Sequence, residues 1–301
     1  SLAIETGKDT YELAQQGDRV VLRLSDDARI QVWHTLPVVL RQLDGDLSVR
    51  GLHGPLDISE ARGDVTLNDV GNVRLSNGDG DVAISRAGAI HSQGYLDDDV
   101  ALRHVGAVEL LEVNGDLRVN KAASLSLERV EGDVSLAGVA GEVRLKEVHG
   151  DVTLRDIGGA VEIGRVRGDL SGRDLRGDVQ VVRVDGDINL STALQAGCRY
   201  NLACRHDINL RFPADTAAVL TIQARRWTLP RQGEYQVERS EGRAVVRLGQ
   251  GGPEVLLTCD GEVTLGLQGE WEHGIEDLGQ HMEAWGEQFG REMAAWGEEM
   301  R

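Results

Sequence analysis

The pair Gly-Asp recurs along this chain at Gly45-Asp46, Gly63-Asp64, Gly80-Asp81, Gly115-Asp116, Gly132-Asp133, Gly150-Asp151, Gly168-Asp169 and Gly186-Asp187. Every step is 17 or 18 residues, apart from one double step of 35 between Gly80 and Gly115. A fixed period of that size marks a repeat architecture, in which one unit cannot bury its apolar face alone and does so by stacking on its neighbours. A second series of turns, mostly without Asp, lies between these pairs: Gly54-Pro55, Gly71-Asn72, Gly88-Ala89, Gly106-Ala107, Gly141-Glu142 and Gly159-Ala160. Each unit is therefore two halves of 8 to 9 residues.

Within each half, apolar residues alternate with polar ones, the period-2 pattern of a strand with one buried face. The first halves offer inward pairs such as Leu47/Val49, Val65/Leu67, Val100/Leu102, Val134/Leu136 and Ile188/Leu190. The second halves offer Leu56/Ile58, Val73/Leu75, Val108/Leu110, Val143/Leu145 and Val179/Val181. A further apolar residue often follows, as at Val70, Val130, Val148, Ile157 and Val166, and reads as a corner turning back to the core. Thr66, Arg118, Arg144, Thr153 and Glu162 then face water.

Like residues at like positions favour coils stacked in parallel over an antiparallel meander. The expected fold is all-β, a parallel β-helix or β-solenoid with 17–18 residue coils, followed by a C-terminal amphipathic α-helix. The expected divisions are an N-terminal β cap over 1–44, a solenoid of about nine coils over 45–210, an irregular β continuation with C-terminal coils over 211–268, and the helix over 269–301. At about 4.8 Å per coil, nine coils make a rod of about 40 Å. Caps are needed because exposed end strands recruit other chains by edge pairing.

The Gly-Asp pair has a local reading: Gly supplies a backbone conformation closed to other residues, and the Asp side chain bonds turn amides. A calcium ladder of the nonapeptide type would need several glycines and a second acid in each turn, and this sequence lacks them.

From Glu270, Trp271, Ile275, Leu278, Met282, Trp285, Phe289, Met293, Trp296 and Met300 recur every three or four residues, the stripe of an amphipathic helix. Gly274, Gly279, Gly286, Gly290 and Gly297 each cost about 1 kcal/mol against Ala in a helix, so the segment needs a partner surface. Copies of itself, its own solenoid and a membrane surface are the three partners open to it. The first leads, because small glycines beside Trp, Phe and Met permit close helix packing. The Glu-rich polar face speaks against the membrane.

The formal net charge of −18 argues against nucleic acid, whose binding rests on neutralising phosphates with Lys and Arg, and against anionic lipid. Cys198, Cys204 and Cys259 form neither a disulfide framework nor a zinc site and are read as free thiols. Together with the lack of a signal peptide they lean toward a reducing, cytoplasmic compartment, or a cell envelope should the chain be a fragment.

No enzymatic constellation emerges, and no cofactor, metal or catalytic residue is expected. The acids sit at turns in the rhythm of the repeat, and the glycines punctuate coils rather than forming a phosphate loop. His34, His53, His91, His104, His149, His206, His273 and His281 are scattered without metal-ligand spacing.

The Gly-Asp-Val-x-Leu units, with Gly251-Gly252-Pro253 and then Cys259-Asp260-Gly261-Glu262-Val263, resemble a bacterial family of uncharacterised β-strand-repeat proteins related to autotransporter-adhesin head domains. The resemblance spans about residues 15 to 268. It implies a β-helix with no known catalytic residues to carry over. The expected function is a non-catalytic structural or interaction module that forms a homo-oligomer through its C-terminal helix. The competing readings are a polysaccharide-binding or polysaccharide-cleaving β-helix and a scaffold that polymerises end to end.

Overall fold

Leu47, Val65, Val82, Val100, Leu117 and Val134 stand in register on six successive parallel strands. That single column expresses the fold, because like side chains repeat at each coil and form continuous apolar ladders. The computed structural model of the chain describes residues 37–230, 235–240 and 242–268 in full, and the backbone of strands Leu2–Thr6, Tyr11–Gln16, Arg19–Leu24 and Ala28–His34. All regular structure among the described residues is β-strand. The amphipathic helix expected over 269–301, with its stripe from Trp271 to Met300, lies outside the described residues.

Two columns of parallel strands run side by side. The first holds the first halves, from Ala28–His34 through Leu47–Leu52, Val65–Val70, Val82–Ala87, Val134–Val139 and Val152–Ile157 to Ile188–Ser191 and Ile208–Phe212. The second holds the second halves, from Arg19–Leu24 through Val38–Leu43, Leu56–Ala61 and Val73–Gly78 to Val143–Val148, Val179–Val184 and Arg199–Cys204. Strands Val100–Val113 and Leu117–Val130 run through both columns without interruption.

Most halves follow one burial pattern: the first, third and sixth positions are buried and the rest face outward, as in Val65–Val70 and Val161–Val166. The inward pairs read from the alternation and the corner residues Val70, Val130, Val148, Ile157 and Val166 are all buried. Fully burying one such aliphatic side chain is worth about 1.5–3 kcal/mol, so the core is a sum of small, repeated gains.

In the first halves the fifth position turns the corner with a positive φ at Gly51, Asp69, Arg86, His104, Lys121, Gly138, Asp156 and Asp174. Six of these eight carry a side chain, although the left-handed region favours glycine. The bend lets the sixth residue point inward again.

The stack extends beyond the Gly-Asp marks in both directions. Arg19–Leu24 and Ala28–His34, expected to belong to a cap, are parallel rungs, and the antiparallel strands at this end are Leu2–Thr6 and Tyr11–Gln16. At the other end, Arg243–Leu248 pairs antiparallel with both Ala218–Gln223 and Tyr235–Ser240.

Between those ends the chain departs from sequential order. Strand Glu254–Cys259 pairs in parallel with Arg199–Cys204 on one side and with Ala218–Gln223 on the other. Likewise Glu262–Leu267 lies between Ile208–Phe212 and Arg226–Thr228. After Phe212 the chain therefore skips one rung, builds the next, and returns to fill the gap. The alternation over 211–268 is rung-like, but alternation carries no address, and the order of these rungs comes from their pairing.

The longer step from Ile188 to Ile208 is absorbed by a detour before Arg199. Thr192, 1% exposed, bridges it by accepting the Leu175 N–H through Oγ1 at 3.0 Å and donating to the Leu175 carbonyl at 2.8 Å. Tyr200 closes the detour by accepting the Gln195 N–H at 2.9 Å through its hydroxyl.

Candidate functional site

The acids of the repeat are spent on the rod itself. Oδ1 of Asp46 accepts the backbone N–H of Asp64 at 2.9 Å, and Asp64 accepts that of Asp81 at the same distance. The series continues through Asp99, Asp116, Asp133, Asp151, Asp169, Asp187 and Asp207 at 2.7–3.1 Å. Asp98-Asp99 fills the gap left by the double step. Asp207 then accepts the N–H of Glu262 at 2.7 Å, so the ladder follows the stack and crosses into the returning coil.

The carboxylate thus serves the amide one coil further on, not its own turn as the sequence suggested. The glycines are needed for clearance: a Cβ on Gly132 would lie 2.5 Å from Asp116 Oδ1 and 2.6 Å from the Gly115 carbonyl oxygen. None of the repeat's Gly-Asp glycines lies in the left-handed region.

The two columns present different outer faces. On the second, acids meet basic side chains across adjacent rungs: Arg74 faces Asp57 at 3.5 Å, His91 faces Glu109 at 3.1 Å, Arg129 faces Glu112 at 3.8 Å and Arg144 faces Glu162 at 3.1 Å. His149 sits between Glu131 and Glu147, and hydrogen bonds from Arg129 and His149 hold the carboxyls of Glu131 and Glu147, respectively, below the usual range. Hydrogen bonds from Arg165 and Arg183 lower the Asp185 carboxyl to about 2.

The first column stacks like charges in two places: Arg155 with Arg173 in register beside the corner acids Asp156 and Asp174, which pair with Arg176 and Arg173, and an earlier basic group. Arg86, His104 and Lys121 occupy the same left-handed corner on three successive rungs, and all three are exposed. Arg103 stands beside them, in register with Ser85 and Asn120. Arg86 bonds to Asn68, while Arg103 and Lys121 have no ion-pair partner among the described residues. Burial, reinforced by Lys121, Arg103 and Arg86, pushes the His104 pKa down. The repeat reading missed this group, since its members are a full coil apart; writing the coils under one another would have exposed it.

Near the returning coil, Asp187, Arg205, His206, Asp207, Arg225, Asp260 and Gly261 line an open depression of about 460 Å³. Its Asp187 and Asp207 already serve the ladder. Cys204 and Cys259 are buried in-register partners across the same boundary, and burial is the leading cause that raises both thiols, Cys204 to about 12. Cys198 is half-buried.

The residues expected to form an oligomer interface, Trp271, Ile275, Leu278, Met282, Trp285, Phe289, Met293, Trp296 and Met300, lie outside the described residues.

Compared with known proteins, residues 44–205 match the model of a family described as Toastrack DUF4097. No curated protein and no solved structure matches. No match ties the chain to autotransporter-adhesin heads.

Proposed function

Taking as premise that the chain belongs to the Toastrack DUF4097 family, we propose that it is a non-catalytic interaction module, a rigid rod that presents two unlike faces and assembles with copies of itself through residues 269–301. The observation that carries this reading is the aspartate ladder. The repeating carboxylates, which in an enzyme would be the natural acids and bases, each hold the next coil through a hydrogen bond of 2.7–3.1 Å.

Self-association is supported by the apolar stripe from Trp271 to Met300, which the sequence places directly after the last described rung. A symmetric homo-oligomer is the natural closed outcome. Growth end to end is opposed by the antiparallel strands that flank both ends of the parallel stack. Light scattering tests the reading on the full chain, on Trp285→Ala/Phe289→Ala and on a version ending at Leu267. A discrete oligomer that becomes monomeric in both variants supports it; a monomeric full chain defeats it.

The polysaccharide-binding reading is favoured by a separate observation, the cationic corner of the first column.

A further inference from the structure

We propose that Arg86, Arg103, His104 and Lys121 form a binding site for a linear polysaccharide bearing carboxylates, laid along the rod across successive coils. This deepens the reading of the chain as a non-catalytic interaction module and rests on it.

Like charges stacked on neighbouring strands repel and destabilise a sheet. The other face of this rod offsets the cost with opposite charges, from Asp57/Arg74 to Arg144/Glu162, and where Arg165 and Arg183 stand in register both bond Asp185. At and beside the corner, three consecutive rungs instead carry the cations Arg86, Arg103 and Lys121, with His104, its pKa lowered, between them. The backbone conformation is the one shared by the whole corner: Arg86, His104 and Lys121 have φ values of 53°, 54° and 63°, as Asp69, Asp156 and Asp174 have 57°, 53° and 55°. Arg86, Arg103 and Lys121, on successive rungs and with no ion-pair partner among the described residues, point to a ligand that supplies negative charge.

The shape of the surface selects among anions. Ala83 and Ala101, in register on adjacent strands between Thr66 and Arg118, lie two residues before Ser85 and Arg103 and make a shelf of small side chains beside the cations. Such a shelf accommodates the face of a sugar ring. The spacing agrees: rungs are about 4.8 Å apart, and an extended 1,4-linked hexuronate chain advances by close to one rung per residue. Phosphates of an extended single nucleic-acid strand are more widely spaced. The net charge of −18 repels any polyanion at long range, so binding must come from these short contacts and must weaken with salt.

Calorimetric titration of the full chain at low salt with oligogalacturonates of increasing length tests this. Affinity is expected to rise up to about three sugar residues, the span of the cluster, and then level off. The Arg103→Gln/Lys121→Gln variant is expected to lose affinity about tenfold or more, while Arg144→Gln on the other face leaves it unchanged. The methyl-esterified oligomer is expected not to bind. Circular dichroism confirms folding; should the double variant fail to fold, Lys121→Gln alone with a salt titration replaces it. Absence of binding, equal affinity in the cluster variant, or equal binding of single-stranded DNA overturns the proposal. Cleavage of the oligomer would defeat the non-catalytic reading while leaving the site standing.

Discussion

Oδ1 of Asp133 accepts the backbone N–H of Asp151 at 2.8 Å, one full coil further along the rod. A turn residue thus acts between coils, and the bond repeats wherever the Gly-Asp pair does. Replacing Asp133 by Ala leaves the Asp151 amide without its acceptor and is expected to cost about 1–3 kcal/mol. Asp133→Asn keeps an acceptor oxygen, as Asn72 does for the Ala89 N–H at 2.9 Å, and should stay near the parent. Urea unfolding of the two variants checks this; equal losses would mean that charge, not the bond, matters.

Gly132→Ala places a methyl group against Asp116 and the Gly115 carbonyl, with backbone on one side that cannot rotate away. Overpacking of this kind costs about 1–3 kcal/mol. Gly242→Ala is the comparison, since a Cβ there meets nothing but φ is +68°, so its cost is conformational alone. Thermal denaturation should rank Gly132→Ala as the more damaging change.

Asp185 has a folded pKa of about 2, below its ordinary value of 3.8, because Arg165 and Arg183 bond its carboxylate. A depressed carboxyl contributes fully above its unfolded pKa and loses that contribution as pH falls through the folded one. Asp185→Asn should therefore cost about 1 kcal/mol at neutral pH, a surface-pair magnitude. The gap to the parent should close between about pH 4 and pH 2. Denaturation midpoints of both proteins across that window decide it, and a gap independent of pH would refute the pairing.

Cys204 and Cys259 should resist thiol reagents at about pH 8 in the folded chain, since burial suppresses the thiolate that reacts. Cys198, half-buried, is expected to react first. Mass spectrometry after timed alkylation shows the order, and full labelling requires denaturant. Rapid modification of Cys259 in the native state would mean that the returning coil opens readily.

A chain ending at Gln250 lacks the rung that separates Arg199–Phe212 from Ala218–Thr228. Amide exchange over residues 199–228 is expected to rise sharply in it, with residues 100–170 unchanged, because contacts in a stack pass mainly between neighbours. Unchanged protection of 199–228 would show that the gap closes without the inserted coil.

The period of the coils and the inward face were readable from the chain alone. Both rest on local signals: alternation places Val65 and Leu67 on one side of a strand, and a constant step returns Val82 and Ile84 to the same place. Burial of each follows directly. The purpose of Gly-Asp was half readable, as a turn mark but not as an intercoil bond. The final coil carried its own sign in Gly261-Glu262, which takes the place of the repeat's Gly-Asp against Asp207.

What stacking alone decided is which strand meets which. Every rung offers the same alternation, so nothing in Glu254–Leu267 says that it belongs between two earlier segments; the pairing becomes favourable only when both neighbours are in place. The cationic corner has the same origin. Arg86, His104 and Lys121 are ordinary exposed residues when read along the chain, and they become one charged surface only when coils of 17 or 18 residues bring them above one another. Strand alternation is a property of neighbours in sequence, whereas register and surface charge are properties of neighbours in space.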